Sequence, residues 1–146
     1  MAPQTAVRIL VVDNEPAIIS GLRRLLSRDG YTVETAQNGH QALALLLEHP
    51  YDLILCDMRM PELDGPAFYG RLLLHYPSLC RRVLFLTGDT SSAESRLFLE
   101  RCGQPWIAKP YSATEIRRAV VQMLNTPVKD ASENLEEYGP GTEGVV

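Results

Sequence analysis

The sequence predicts an α/β protein in which a five-stranded parallel sheet is doubly wound, with helices on both faces. Three observations carry this. Short β-branched or apolar runs recur along the chain: "VRILVV" at 7–12, "YTVETA" at 31–36, "DLILC" at 52–56, "RVLFL" at 82–86 and "PWIA" at 105–108. The segments between them carry helical periodicity instead of strict alternation. The strands are apolar almost throughout, which marks a sheet buried on both sides.

The helices follow in order. In "PAIISGLRRLLSRDG", Pro16 suits a first turn, where a missing N–H costs nothing; Ile18, Leu22 and Leu25 share a face, and Gly30 ends the helix. "NGHQALALLLEH" puts Ala42, Leu43 and Leu46 on one side. Two further helices are expected over 66–75 and 92–102, the second opened by Ser91 or Ser92. "SATEIRRAVVQML" starts on Ser112 as a cap and repeats Ile116, Ala119, Val120 and Met123 at i, i+3, i+4, i+7. Five strand–helix pairs place one domain over residues 1–125.

Composition narrows the class. With 146 residues, 45% of them hydrophobic, the chain is long enough to bury a core without disulfides or structural metal. Cys56, Cys80 and Cys102 form no C-x-x-C pair, so neither a zinc site nor a disulfide framework is indicated, and Cys56 reads as a small buried hydrophobe. His40, His49 and His75 are scattered in or beside helices, where surface placement is the default. No apolar run approaches a membrane span. "MAPQTAVRILVV" lacks a basic segment followed by a long apolar one, so no secretory signal is read and a cytoplasmic location is expected. From Thr126 onward five acidic residues face one lysine, which leaves 13 basic and 13 acidic residues before it. Residues 126–146 are thus expected to be an acidic, disordered tail or a linker stub, and the neutral body gives nucleic-acid binding little support.

In a doubly wound sheet, ligands sit beyond the carboxyl ends of the strands, where the strand order reverses. Strand one ends in Asp13-Asn14-Glu15, strand three in Asp57, strand four in Thr87 and strand five in Lys109-Pro110. Clustered carboxylates suit a hard cation such as Mg²⁺. That cation and Lys109 would hold Asp57 ionised and draw in a phosphoryl group, whose oxygens the Thr87 hydroxyl meets by hydrogen bonding. A carboxylate attacking phosphorus yields an aspartyl phosphate.

Over residues 7–125 the chain resembles the receiver domain of two-component response regulators, which has a flavodoxin-like (βα)5 fold. "ILVVDNEP" resembles the family's acidic first-strand motif, "DLILCDMRMPELDG" its phosphoacceptor loop, "FLTGDT" its switch threonine and "IAKPYS" its lysine-proline turn. Four matches in order are a specific signal where any one is weak. The resemblance implies a phosphoacceptor signalling domain, not an enzyme beyond Mg²⁺-dependent self-phosphorylation and autodephosphorylation. Asp57 would accept the phosphoryl group. Asp13, Asn14, Asp57 and the main-chain carbonyl of Arg59 would form the site for Mg²⁺ or Mn²⁺. Thr87 and Trp106 would be switch residues, Lys109 would pair with phosphate, and Lys109-Pro110 would be a cis bond. The implied partners are a histidine kinase or histidine phosphotransfer protein and a downstream protein target. "FLTGDTSSAESRLFLE" also resembles receivers attached to hybrid histidine kinases, which makes a phosphorelay role consistent.

Two positions, Asn14 and Trp106, depart from the pattern, and two more, Arg59 and Asp89, flank the site. Asn14 replaces the second acid usual in the family, so weaker Mg²⁺ affinity is expected, with Glu15 either compensating or favouring the start of helix one. Trp106 stands where the family commonly has Tyr or Phe and needs more room to swing inward. Arg59 and Asp89 lie two residues beyond Asp57 and Thr87, where they would form a gate over the acyl phosphate or serve as solvated loop charges. Two rival classes stay open: an interaction module independent of phosphate, suggested by Asn14, and an aspartyl-nucleophile phosphatase. The second normally wants an Asp where this chain has Arg59. A homodimer through the last two helices, with Arg96, Glu100, Arg117 and Arg118 at the interface or in water, is equally open.

Overall fold

The computed structural model describes residues 6–127; of the tail expected over 126–146, residues 128–146 lie outside the described residues. Strands β1 (Arg8–Val12), β2 (Thr32–Ala36), β3 (Leu53–Asp57), β4 (Val83–Thr87) and β5 (Trp106–Ala108) alternate with helices α1 (Pro16–Arg28), α2 (Gly39–Glu48), α3 (Gly65–His75), α4 (Ala93–Cys102) and α5 (Ala113–Asn125). All strand pairings are parallel, in the order β2-β1-β3-β4-β5. The order reverses between β1 and β3, which opens a crevice at their carboxyl ends.

Alternate strand residues feed two cores, as the two-residue period of a strand requires. On one face Leu10, Val12, Ile54, Cys56 and Phe85 pack under α2, α3 and α4, against Ala42, Leu46, Phe68, Leu72 and Leu99. On the other, Ile9, Val11, Leu53, Leu55, Leu84 and Leu86 meet Leu22 and Leu26 of α1 and Ile116, Val120 and Met123 of α5. Strands β3 and β4 are buried along their whole length. The buried stripe of α1 is Ile19, Leu22 and Leu26, one residue on from the expected Ile18 and Leu25, which pack at its margin.

Local chemistry sets the boundaries. Asn38, Asp64, Ser92 and Ser112 cap α2, α3, α4 and α5 through their side chains, and Ser112 completes a capping box with Glu115. Gly103 ends α4 in the left-handed region at φ 71°. A 3-10 helix over Pro77–Arg82, not anticipated from the sequence, carries the chain from α3 into β4. It starts at a proline and has no apolar repeat long enough to register as a helix.

Two predictions follow from the packing. A Cβ on Gly65 would lie 2.9 Å from both the Asp57 carbonyl oxygen and the Met58 Cα, whereas one on Gly21 would meet nothing within 4 Å. Gly65→Ala is expected to lose about 1–3 kcal/mol in urea unfolding through overpacking against main chain. Gly21→Ala, in the exposed interior of α1, is expected to gain about 0.5–1 kcal/mol.

The three cysteines are free and buried. Burial pushes the thiol of Cys80 up to about 12, that of Cys102 up to about 11, and that of Cys56 higher than its ordinary value as well. A disulfide reagent at pH 8 is expected to label these thiols only as fast as the chain unfolds. Because the folded values are raised, the unfolded chain releases thiol protons first. The stability these groups contribute is whole below pH 9 and lost as pH rises from 9 towards 11 to 12, measurable by denaturant titration across that range.

Candidate functional site

The sheet ladders extend one residue beyond each strand and so fix the site. Asp13 N–H donates to the Ala36 carbonyl at 3.0 Å, Met58 N–H to Leu86 at 3.0 Å, and Lys109 N–H to Thr87 at 2.8 Å. Val12 stands opposite Cys56 in register, so Asp13 and Asp57 emerge side by side. Thr87 stands opposite Ala108, which sets Lys109 one residue further along the same edge. Asp13 is 0% exposed, Asp57 5% and Thr87 1%, so these polar groups sit at the floor of the crevice.

Lys109 gathers the acids. Its Nζ lies 3.2 Å from Asp13 Oδ2, 3.3 Å from Asp57 Oδ1 and 3.3 Å from Glu15 Oε1. The other Asp13 oxygen accepts the Glu15 N–H at 2.9 Å. Burial raises the Asp57 pKa, helped by the Asp13 charge and opposed by Lys109 and by a main-chain hydrogen bond from Arg59. For Lys109, burial disfavours the ammonium, but the charges of Asp57 and Asp13 outweigh it and the net shift is upward. Three carboxylates against one ammonium leave a formal charge of −2 around Nζ.

The remaining expected residues are distributed as follows. Asn14 is exposed on the rim. Arg59 is exposed and donates to Asp89 Oδ2 at 2.5 Å. The Lys109-Pro110 peptide bond is cis. Trp106 is 45% exposed on the edge strand and lines a groove with Thr90, Arg96, Leu99 and Glu100. Glu15 stands at the N-cap of α1 without a side-chain capping bond, and its carboxylate turns to Lys109 instead. Among the described residues no group of three or more His, Cys, Asp or Glu side chains is arranged to hold a metal ion.

Two features escaped the sequence reading. Tyr111 packs beside the cluster, its phenol pushed up by burial and drawn down by Lys109. Asp89 organises the loop after β4: its Oδ1 accepts Ser91 N–H at 3.0 Å, Ser91 Oγ at 2.9 Å and Ser92 N–H at 3.1 Å. The signal for the second was present, since Asp followed two residues on by Ser is a turn-forming pattern.

The comparisons with known proteins agree with this architecture. The family model described as "Response regulator receiver domain" matches residues 9–121. Response regulator MprA of Mycolicibacterium vanbaalenii is 35% identical over 130 residues, which cover 88% of this chain and 55% of MprA, so the chain spans about half the length of such relatives. Among solved structures, the signal receiver domain of an HD domain-containing protein from Pseudomonas fluorescens superposes with a TM-score of 0.75 at 31% identity, covering 82% of this chain and 95% of that one. TrrA of Thermotoga maritima, a response regulator solved in complex with Mg²⁺-BeF, gives 0.71 at 29% identity, covering 80% and 98%. With the motif matched from β1 into α5, the chain belongs to the response regulator receiver domain family of two-component systems.

Proposed function

We propose that Asp57 accepts a phosphoryl group from a phosphohistidine of a histidine kinase or phosphotransfer protein, and that the modified domain alters its binding to a downstream protein. The observation that carries the reading is the charge arrangement: two buried carboxylates at the switch point share one lysine. A buried charge is kept only where something compensates it. Lys109 compensates one of the three carboxylates around it, and a residual charge of −2 is matched by a divalent cation.

The donor set fits such an ion. Asp13, Asp57 and the Arg59 carbonyl offer hard oxygens, Asn14 an amide oxygen, and a small cation that retains waters needs few protein ligands. When bound, Mg²⁺ or Mn²⁺ supplies charge neutralisation at the phosphoryl oxygens. Asp57 supplies the nucleophile: a carboxylate oxygen forms the bond to phosphorus as the P–N bond breaks, and the electron pair leaves with the imidazole. Lys109 faces the Asp57 oxygen and favours its ionised form against the effect of burial. Hydrolysis then breaks the anhydride bond by water attack at phosphorus and restores Asp57.

The domain boundary at 125 is part of the same proposal, as is the switch role of Thr87. Trp106 follows as the reporter of that switch from an exposed position on β5, where an inward swing has to exchange a half-exposed indole for burial. The face formed by α4, β5 and α5 is then the surface whose shape changes. Among the described residues no helix is long and apolar enough to cross a membrane.

Acetyl phosphate with Mg²⁺ is expected to retard the chain on a Phos-tag gel, and Asp57→Ala to abolish the shift. An unshifted wild type would refute phosphoacceptance. In metal-free buffer the shift is expected to vanish, and Mg²⁺ alone is expected to raise the melting temperature of the wild type but not of Asp13→Asn.

Arg59 and Asp89 meet across the mouth of the site at 2.5 Å, and Arg59 is largely exposed. As a gate the pair screens the acyl phosphate from water. Arg59→Ala is expected to shorten the half-life of the phosphorylated form severalfold, read by loss of the retarded band. An unchanged half-life would assign the pair to loop solvation, consistent with the small worth of exposed ion pairs.

A further inference from the structure

Thr87 ends the strand beside Asp57, yet its hydroxyl is turned into its own loop. Oγ1 donates to the Asp89 carbonyl at 3.0 Å and accepts the Asp89 N–H at 3.1 Å. A hydroxyl carries one proton, so Thr87 has none to give an oxygen on Asp57 while this ring is closed. The Asp89 side chain is equally committed. One oxygen takes three bonds from Ser91 and Ser92, and the other takes Arg59, two residues after Asp57. Ser92 is itself the cap of α4, accepting the Ser95 N–H. One residue therefore joins the end of β4, the start of α4 and the loop after β3.

We propose that Asp89 is a positioning residue that holds Thr87 in the resting arrangement and couples its release to the first turn of α4. The inference rests on the phosphoacceptor reading of Asp57 and names how that site is regulated. Before Thr87 can donate to a phosphoryl oxygen, its O–H must leave the Asp89 carbonyl. That main chain cannot move freely, because the carboxylate on it is anchored to Ser91, Ser92 and Arg59. The side-chain bonds therefore set the cost of leaving the resting state, and their rupture displaces the α4 cap. A contact present only in the resting state weakens any ligand that requires the other state. An Asx turn that merely shaped the loop would hold Ser91 and Ser92. It would not also hold the Arg59 guanidinium on its second oxygen.

The test uses the whole chain with Mg²⁺ and beryllofluoride as the phosphoryl mimic. Occupancy is read by ¹⁹F NMR, and the response of α4 by the fluorescence of Trp106, the only tryptophan. Wild type is expected to bind and Asp57→Ala not to. Asp89→Ala is expected to bind about 3- to 10-fold more tightly, with its unliganded Trp106 emission displaced towards that of the bound wild type. Asp89→Asn keeps an oxygen for Ser91 and Ser92 but turns an amide N–H towards Arg59, and is expected to fall between wild type and Asp89→Ala. Ser91→Ala, which removes a single bond, is expected to tighten binding in the same direction by less. A residue that only stabilised the fold would give weaker binding and a lower melting temperature in Asp89→Ala. Equal or weaker binding there, with wild type binding normally, overturns the role of Asp89 and leaves the acceptor reading intact. Failure of wild type to take up beryllofluoride, together with no Phos-tag shift, overturns both.

Discussion

The contact between the Lys109 ammonium and the buried carboxylates of Asp13 and Asp57 is the constraint on which the rest of the site depends. Like charges at the floor of an apolar sheet repel and are poorly solvated, and each is tolerated only with a compensating partner. The partner comes from a strand distant in sequence, and the sheet ladder delivers it: Lys109 N–H continues the β4–β5 pairing onto Thr87. Sheet register is thus also an electrostatic device. A slip of one residue in β5 would send the ammonium to the opposite face and leave the acids unpaired.

The two apolar cores give this arrangement its rigidity. Residues 9–12, 53–56 and 83–86 are fully buried, so the strand ends cannot shift without disturbing close-packed side chains on both faces. The loops beyond those ends are less confined. Gly65 allows α3 to pack directly onto the main chain of Asp57 and Met58, while the loop after β4 is held by the hydrogen bonds of Asp89. Stiff strands place Asp13 and Asp57, and a hydrogen-bonded polar loop borders them.

The fold was legible because its signals are local and periodic. Five apolar runs and the helical repeats between them recovered every strand to within about a residue, and Ser112 and Gly30 mark ends that depend on one side chain or its lack. The 3-10 helix was not legible, since it has a turn's composition. In the site, the residue types at the strand ends could be read together because the architecture brings all carboxyl ends to one edge. Which way a rim side chain turns could not. Glu15 had two plausible targets, a helix N-terminus and a lysine 94 residues away, and only the packed structure puts the lysine within reach. Tyr111 gave no signal, as its place beside the acids comes from the path of the chain after Lys109.

The departure at Asn14 has a physical resolution in where the charges lie. Position 13 is buried, and there the carboxylate is held by an ammonium and a backbone N–H, so a charge counts heavily. Position 14 is exposed on the rim, where water screens a charge far more effectively than the protein interior does. Replacing an acid by an amide at the rim costs the cluster less attraction for a cation than the same change at the floor. Glu15 adds a partly exposed carboxylate on the same lysine and keeps the local charge negative. On the proposed phosphoacceptor reading, one buried acid pair with a softened rim would keep the demand for a divalent ion while loosening its outer coordination, and Asp13 and Asp57 would carry most of the affinity.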